Sequence, residues 1–121
     1  MNTNKQKMLA ELDEELYRLK FNIAHDSQYL PELIQASDTK TTEAKAIRDE
    51  IDAFNNRPAA EQKKKATRDE KQAKTIKYGK AINALKDYRT TIEQLEMKIK
   101  IANNKVGMVE KKIVFLTNYE G

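Results

Sequence analysis

The densest run of chemically distinctive side chains is the basic segment 57–80, which contains nine Lys or Arg residues and three acidic residues. Within it, Lys64, Arg68 and Lys71 recur at i, i+4 and i+7, so they share one face of a helix. A row of cations on one face can align with the phosphates of a polyanion. The candidate polyanion-binding residues are Lys63, Lys64, Lys65, Arg68, Lys71 and Lys74.

Two further features bear on this interpretation. Tyr78 lies in the basic segment and Tyr88 follows it, and exposed aromatic rings at these positions would stack on bases and favour single strands. However, residues 1–56 carry a net charge of −4 against +6 for the basic segment. An antiparallel arrangement of helices would therefore neutralise the cations within the molecule. Glu43 and Glu50 are at heptad positions from which they can pair with Lys or Arg of a neighbouring helix.

Residues suited to catalysis or metal binding are scarce. The chain contains no Cys and one His, His25, which excludes thiolate chemistry and His-pair metal sites. His25 is next to Asp26, but adjacent residues on a helix do not face each other. The three Gly residues are isolated, so no glycine-rich phosphate loop exists. We therefore predict a non-enzymatic protein with no cofactor, no metal and no small-molecule substrate.

Apolar residues at heptad spacing predict a first helical arm over about 3–55. They recur at the first and fourth positions of each seven from Leu9 to Phe54. The exceptions are Asp26, Ser37 and Lys40. They lie around Pro31, which removes a backbone donor. The arm is either one kinked helix or two helices that meet within 26–42, and the preserved heptad phase favours the kink.

A turn at about 55–58 separates this arm from a second one at about 59–118. Pro58 suits the first turn of a new helix. All ten heptad positions between 85 and 116 are apolar, so we expect the helix to continue through Gly79 and Gly107. A short connection makes consecutive helices antiparallel neighbours. The predicted fold is a single all-α domain over 1–121, a long antiparallel helical hairpin or coiled coil, with a three-helix bundle as the alternative.

The end of the hairpin far from the turn, which we call the base, comprises residues 8–24 and 92–116. Its helices are apolar on two faces, and such helices need more than one neighbour. We therefore predict self-association or a protein partner here. The expected core residues are Leu12, Leu16, Leu19, Leu95, Ile99, Val106, Val109, Ile113 and Leu116. The expected partner-facing residues are Tyr17, Phe21, Ile101, Met108 and Phe115.

The leading functional prediction is a coiled-coil scaffold or adaptor that forms a homo-oligomer or binds a protein partner through its base. The alternative is an oligomeric nucleic-acid-binding accessory protein that contacts phosphates through residues 57–80. The polar, acidic N-terminal stretch and the lack of a long apolar run predict a soluble, intracellular, cytoplasmic protein without a membrane partner.

Overall fold

Two long helices build the molecule, and the computed structural model describes residues 3–120. Helix α1 spans Thr3–Asn55, the single-turn helix α2 spans Ala59–Gln62, and α3 spans Lys65–Asn118. No strand occurs within residues 3–120, and α1 packs against α3. The predicted all-α helical hairpin is therefore confirmed.

Three polar contacts between α1 and α3, one of them at the residue directly after α3, define the antiparallel register of the two helices. They join Lys5 Nζ to the carbonyl oxygen of Tyr119 at 2.7 Å, Asp26 Oδ2 to Lys98 Nζ at 3.3 Å, and Glu50 Oε2 to Lys74 Nζ at 2.8 Å. In each pair the two residue numbers sum to 124. This register determines which charges of the two arms meet.

Helix α1 is continuous through the region where the sequence left a kink or a loop open. Pro31 lies inside it. The hydroxyls of Thr39, Thr41 and Thr42 each donate to the carbonyl oxygen four residues earlier, at 2.9–3.1 Å, as threonines within a helix do. The first arm is therefore one uninterrupted helix, and it neither splits into two helices nor folds back on itself.

The second long helix begins at Lys65 rather than at about residue 59. In the observed register, Asn55 at the end of α1 is opposite residue 69, so the preceding segment has no α1 residue to pack on. It forms the single turn of α2 instead. The Gln62 amide nitrogen donates to the carbonyl oxygens of Asn55 at 3.0 Å and Arg57 at 2.6 Å, which closes the connection. Helix α3 then continues through Gly79 and Gly107, as predicted.

The chain divides into two compact units. The terminal unit comprises Met1–Pro31 with Glu93–Gly121, and the turn unit comprises Glu32–Ile92. In the turn unit, Ala44, Ile47 and Ala81 form a buried cluster. In the terminal unit, Val109 is buried and the other eight predicted core residues are half-buried. Among residues 3–120, neither long helix contains an apolar stretch sufficient to cross a bilayer.

Candidate interaction surfaces

Helix α3 carries a row of exposed apolar side chains in the terminal unit, which we call the α3 stripe. Its members are 48–67% exposed and are Met97, Ile101, Met108, Phe115 and, directly after the helix end, Tyr119. Their spacings of 4, 7, 7 and 4 residues keep them on one face over about 33 Å at 1.5 Å rise per residue. The rings of Phe115 and Tyr119 stack with their centroids 5.9 Å apart. The three partner-facing residues that the sequence analysis predicted on this helix, Ile101, Met108 and Phe115, are all in this stripe.

Helix α1 carries a second exposed row, which we call the α1 aromatic ridge. Tyr17, Phe21, His25 and Tyr29 follow one another at steps of four residues, with ring centroids 6.5, 6.5 and 5.3 Å apart. Tyr17 is 71% exposed and Phe21 is 59% exposed. Steps of four form a ridge that is inclined to the helix axis. The first three rings are stacked in sequence, whereas the ring of Tyr29 meets that of His25 edge-on at an interplanar angle of 70°.

The structure gives His25 a different role from the one that its sequence neighbours suggest. Its Nδ1 lies 3.5 Å from Asp26 Oδ1, closer than their adjacency on a helix predicts. Asp26 is directed into the seam between the helices and contacts Lys98. The imidazole instead lies between the rings of Phe21 and Tyr29. His25 is therefore a polar member of an aromatic surface.

An open cleft of about 610 Å³ is lined by residues of both helices of the terminal unit. Its apolar lining consists of Met8, Leu12, Phe115 and Leu116. Its charged lining consists of Glu11 and Glu15 on α1 and Lys111 and Lys112 on α3. An apolar centre with a charged rim is the arrangement found in protein interfaces.

Charge and exposed apolar surface are segregated between the two units. The terminal unit contains nine basic and nine acidic residues, and the turn unit contains fourteen basic and ten acidic residues. The whole net charge of +4 is thus in the turn unit. Of the twelve large apolar side chains that are exposed within residues 3–120, ten belong to the terminal unit. The terminal unit is apolar and uncharged overall, whereas the turn unit is polar and cationic.

The predicted polyanion-binding residues fall into two groups. Lys63, Lys64, Lys65 and Arg68 are exposed at the turn. Lys71 and Lys74 are half-buried. Lys74 donates to the Glu50 carboxylate, and this hydrogen bond, together with the charges of Lys74 and Lys77, holds the pKa of Glu50 below its ordinary value.

The pairing predicted for the two glutamates is thus half right. Glu50 pairs across the hairpin with Lys74, whereas Glu43 pairs with Lys40 of its own helix at 3.1 Å. Intramolecular neutralisation therefore reaches Lys74 but does not extend along the whole basic segment.

The two tyrosines proposed to stack on bases are half-buried. Tyr78 packs against the cluster of Ala44, Ile47 and Ala81. Tyr88 lines a polar cleft of about 380 Å³ beside Lys40. Part of the ring surface of each tyrosine is therefore occupied by contacts within the turn unit.

Sequence reasoning missed two parts of these surfaces. It placed Tyr17 and Phe21 among the partner-facing residues but not His25 and Tyr29, which extend the same ridge. The signal was present as ring-bearing residues at 17, 21, 25 and 29, a spacing of four that differs from the heptad used to find the core. Met97 and Tyr119 were also missed, although each lies four residues from a predicted member of the α3 stripe.

Within residues 3–120, no group of three or more His, Asp or Glu side chains is placed to hold a metal ion. The chain matches no protein-family model, and neither the curated proteins nor the solved structures include a significant match. The surfaces described above are therefore the basis on which its function is inferred.

Proposed function

We propose that the protein is a non-enzymatic coiled-coil scaffold whose copies associate through the terminal unit. The observation that carries this proposal is the concentration of exposed large apolar side chains there, ten of the twelve within the described residues. Monomeric soluble proteins rarely expose contiguous apolar patches larger than a few hundred Å². The α3 stripe and the α1 aromatic ridge concentrate most of these side chains on the two helices of one unit.

The size of the exposed apolar surface is that of a stable interface. A freely exposed aromatic side chain offers roughly 150–250 Å². At exposures of about one half to two thirds, each of the ten side chains exposes on the order of 100 Å², or roughly 1,000 Å² together. A standard interface buries about 800 Å² per partner. One copy therefore carries enough apolar surface for a full interface, and its distribution over two helices suits more than one neighbour.

The charge pattern favours a second copy of the chain as the partner. Because the terminal unit has equal numbers of basic and acidic residues, two copies meet there without net repulsion. The cleft has its acids on α1 and its lysines on α3. A two-fold arrangement would place Glu11 or Glu15 of one copy against Lys111 or Lys112 of the next. The turn unit, with all the net positive charge, would remain outside the interface.

The test is the mass of Met108→Asp in solution, measured by sedimentation velocity over a concentration series. Met108 is 59% exposed, so its burial contributes about 1–2 kcal/mol, and an unpaired buried carboxylate adds a further cost. We expect the dissociation constant to rise at least about 100-fold, since about 1.4 kcal/mol corresponds to tenfold. Helical circular dichroism should be retained, because Met108 lies outside the seam between the helices.

Ile76→Asp is the matched control, since Ile76 is 54% exposed but belongs to the turn unit. This variant should keep the wild-type mass. A wild-type chain that stays monomeric at every concentration would contradict self-association. So would an oligomer that Met108→Asp leaves intact. Equal dissociation by both variants would show that the effect is not specific to the terminal unit and would also contradict the proposal.

A further inference from the structure

We propose that the turn is a separate binding site for the phosphate backbone of nucleic acid. The site is the turn cation cluster, defined as Arg57, Lys63, Lys64, Lys65 and Arg68. It lies wholly within the turn unit. The proposal does not depend on self-association, because a monomer presents the same cluster.

No ion pair within residues 3–120 neutralises the cations of this cluster, although two acids, Asp69 and Glu70, directly follow it in the sequence. Residues 57–68 contain five cations and one acid, Glu61. Within the described chain, none of the five cations belongs to an ion pair, in contrast to Lys74. The first turn of α3 contains no acidic residue. Five positive charges within twelve residues are therefore outside any ion pair, and the four on Lys63, Lys64, Lys65 and Arg68 are exposed to an anionic ligand.

The turn that carries the cluster is internally braced. The Gln62 side chain bonds to two carbonyl oxygens of the connection, at 3.0 and 2.6 Å. The Arg57 guanidinium lies 4.0 Å from the centroid of the Phe54 ring, and Phe54 is only 3% exposed. Because these contacts already hold the connection, its backbone loses less conformational entropy when the cations bind a ligand.

The composition around the cluster favours nucleic acid over a membrane or an acidic protein. Residues 55–75 contain no large apolar residue. Binding at a membrane surface uses an apolar face that enters the lipid, and protein interfaces depend on buried aromatic or Arg anchors in apolar surroundings. A phosphate backbone requires only closely spaced cations. Since Tyr78 and Tyr88 are both half-buried, we expect backbone contacts without base stacking, and hence no preference for single strands over duplex.

The experiment is fluorescence anisotropy of the full-length protein with a labelled duplex of about 20 bp, and with a single strand of equal length, at several salt concentrations. About four phosphate contacts predict a slope near −4 for log affinity against log salt on duplex, at about −0.9 per contact. The variant Lys63→Gln/Lys64→Gln/Lys65→Gln should reduce the slope by about 3. At about 0.1 M salt it should weaken binding roughly 100- to 1,000-fold.

The matched control is Lys20→Gln/Lys100→Gln/Lys105→Gln, which removes the same charge from exposed lysines of the terminal unit. The proposal is supported if the turn variant loses affinity for the duplex while the control variant retains it. Equally weakened binding in both variants would show that only net charge matters and would overturn the proposal. A wild-type protein that does not bind duplex even at low salt would also overturn it. Sedimentation with vesicles that contain phosphatidylserine covers the lipid alternative: binding to these vesicles but not to duplex would also overturn it.

Discussion

Replacement of Asp26 by Leu should stabilise the hairpin. Asp26 occupies a seam position of the heptad that holds Leu19 and Leu33 one repeat away on either side. Its side chain is only 13% exposed, and its contacts are with Lys98 Nζ at 3.3 Å and His25 Nδ1 at 3.5 Å. Asp26 is therefore an acid at a heptad position between α1 and α3 that is otherwise mostly occupied by apolar side chains.

The expected gain follows from this burial. A fully buried Leu contributes about 1.5–3 kcal/mol, so a site that is nearly nine-tenths buried offers about 1.3–2.6 kcal/mol. The ion pair that is lost contributes at most about 1 kcal/mol, because Lys98 is 68% exposed and solvent screens it. Lys98 returns to water without leaving a buried charge. We expect Asp26→Leu to raise the free energy of unfolding by about 1–2 kcal/mol.

The assay is urea unfolding followed by far-UV circular dichroism at neutral pH. Protein concentration must be fixed, because association adds to apparent stability. Asp13→Leu is the control, since Asp13 is an exposed acid on the same helix, and it should change the free energy by no more than about 0.5 kcal/mol. A destabilised Asp26→Leu variant would refute the reasoning, because it would show that the ion pair contributes more than apolar burial. Equal stabilisation by Asp13→Leu would show that the effect does not arise in the seam.

Two further predictions concern stability. Beyond the backbone of its own helix, a Cβ added at Gly79 or Gly107 meets no heavy atom within 4 Å. Gly79→Ala and Gly107→Ala should therefore each raise the free energy of unfolding by about 0.5–1 kcal/mol in the same urea assay. A variant that is less stable than wild type would show that the added methyl group does not fit. The hydrogen bond from Lys74 lowers the pKa of Glu50 from its ordinary 4.5, so the stabilisation by this pair is present above pH 4.5 and is lost as pH falls through the lowered pKa. Glu50→Gln should therefore unfold at lower urea than wild type at neutral pH, and this difference should shrink below pH 4.5; a difference that stays constant with pH would exclude the ionised pair as its cause.

Much of the fold could be predicted because the signal is local. A helix has 3.6 residues per turn, so apolar residues at heptad spacing lie on one face of it. That face packs against a neighbour regardless of which residues the neighbour presents. This is why even the polar exceptions Asp26, Ser37 and Lys40 are buried or half-buried at their heptad positions. It is also why Ile101 and Met108, placed outside that heptad by the sequence, are exposed.

The pairing of individual charges could not be predicted in the same way. Glu43 and Glu50 occupy equivalent heptad positions, yet only Glu50 reaches across to Lys74. The choice depends on the axial register of the two helices, which places Lys74 opposite Glu50. No periodic pattern encodes that register.

The sequence by itself determined the two helical arms, the face of each that packs, and the separation of an apolar, neutral end from a cationic one, because helix geometry and charge order are properties of the chain. Only the tertiary structure decided that Lys74 is neutralised while Lys63, Lys64 and Lys65 are not, and that Tyr78 is packed while the rings of the α1 aromatic ridge are exposed. The physical reason is that these outcomes depend on which residues of α1 and α3 are brought opposite each other, and that is set by the rotation and register of the hairpin.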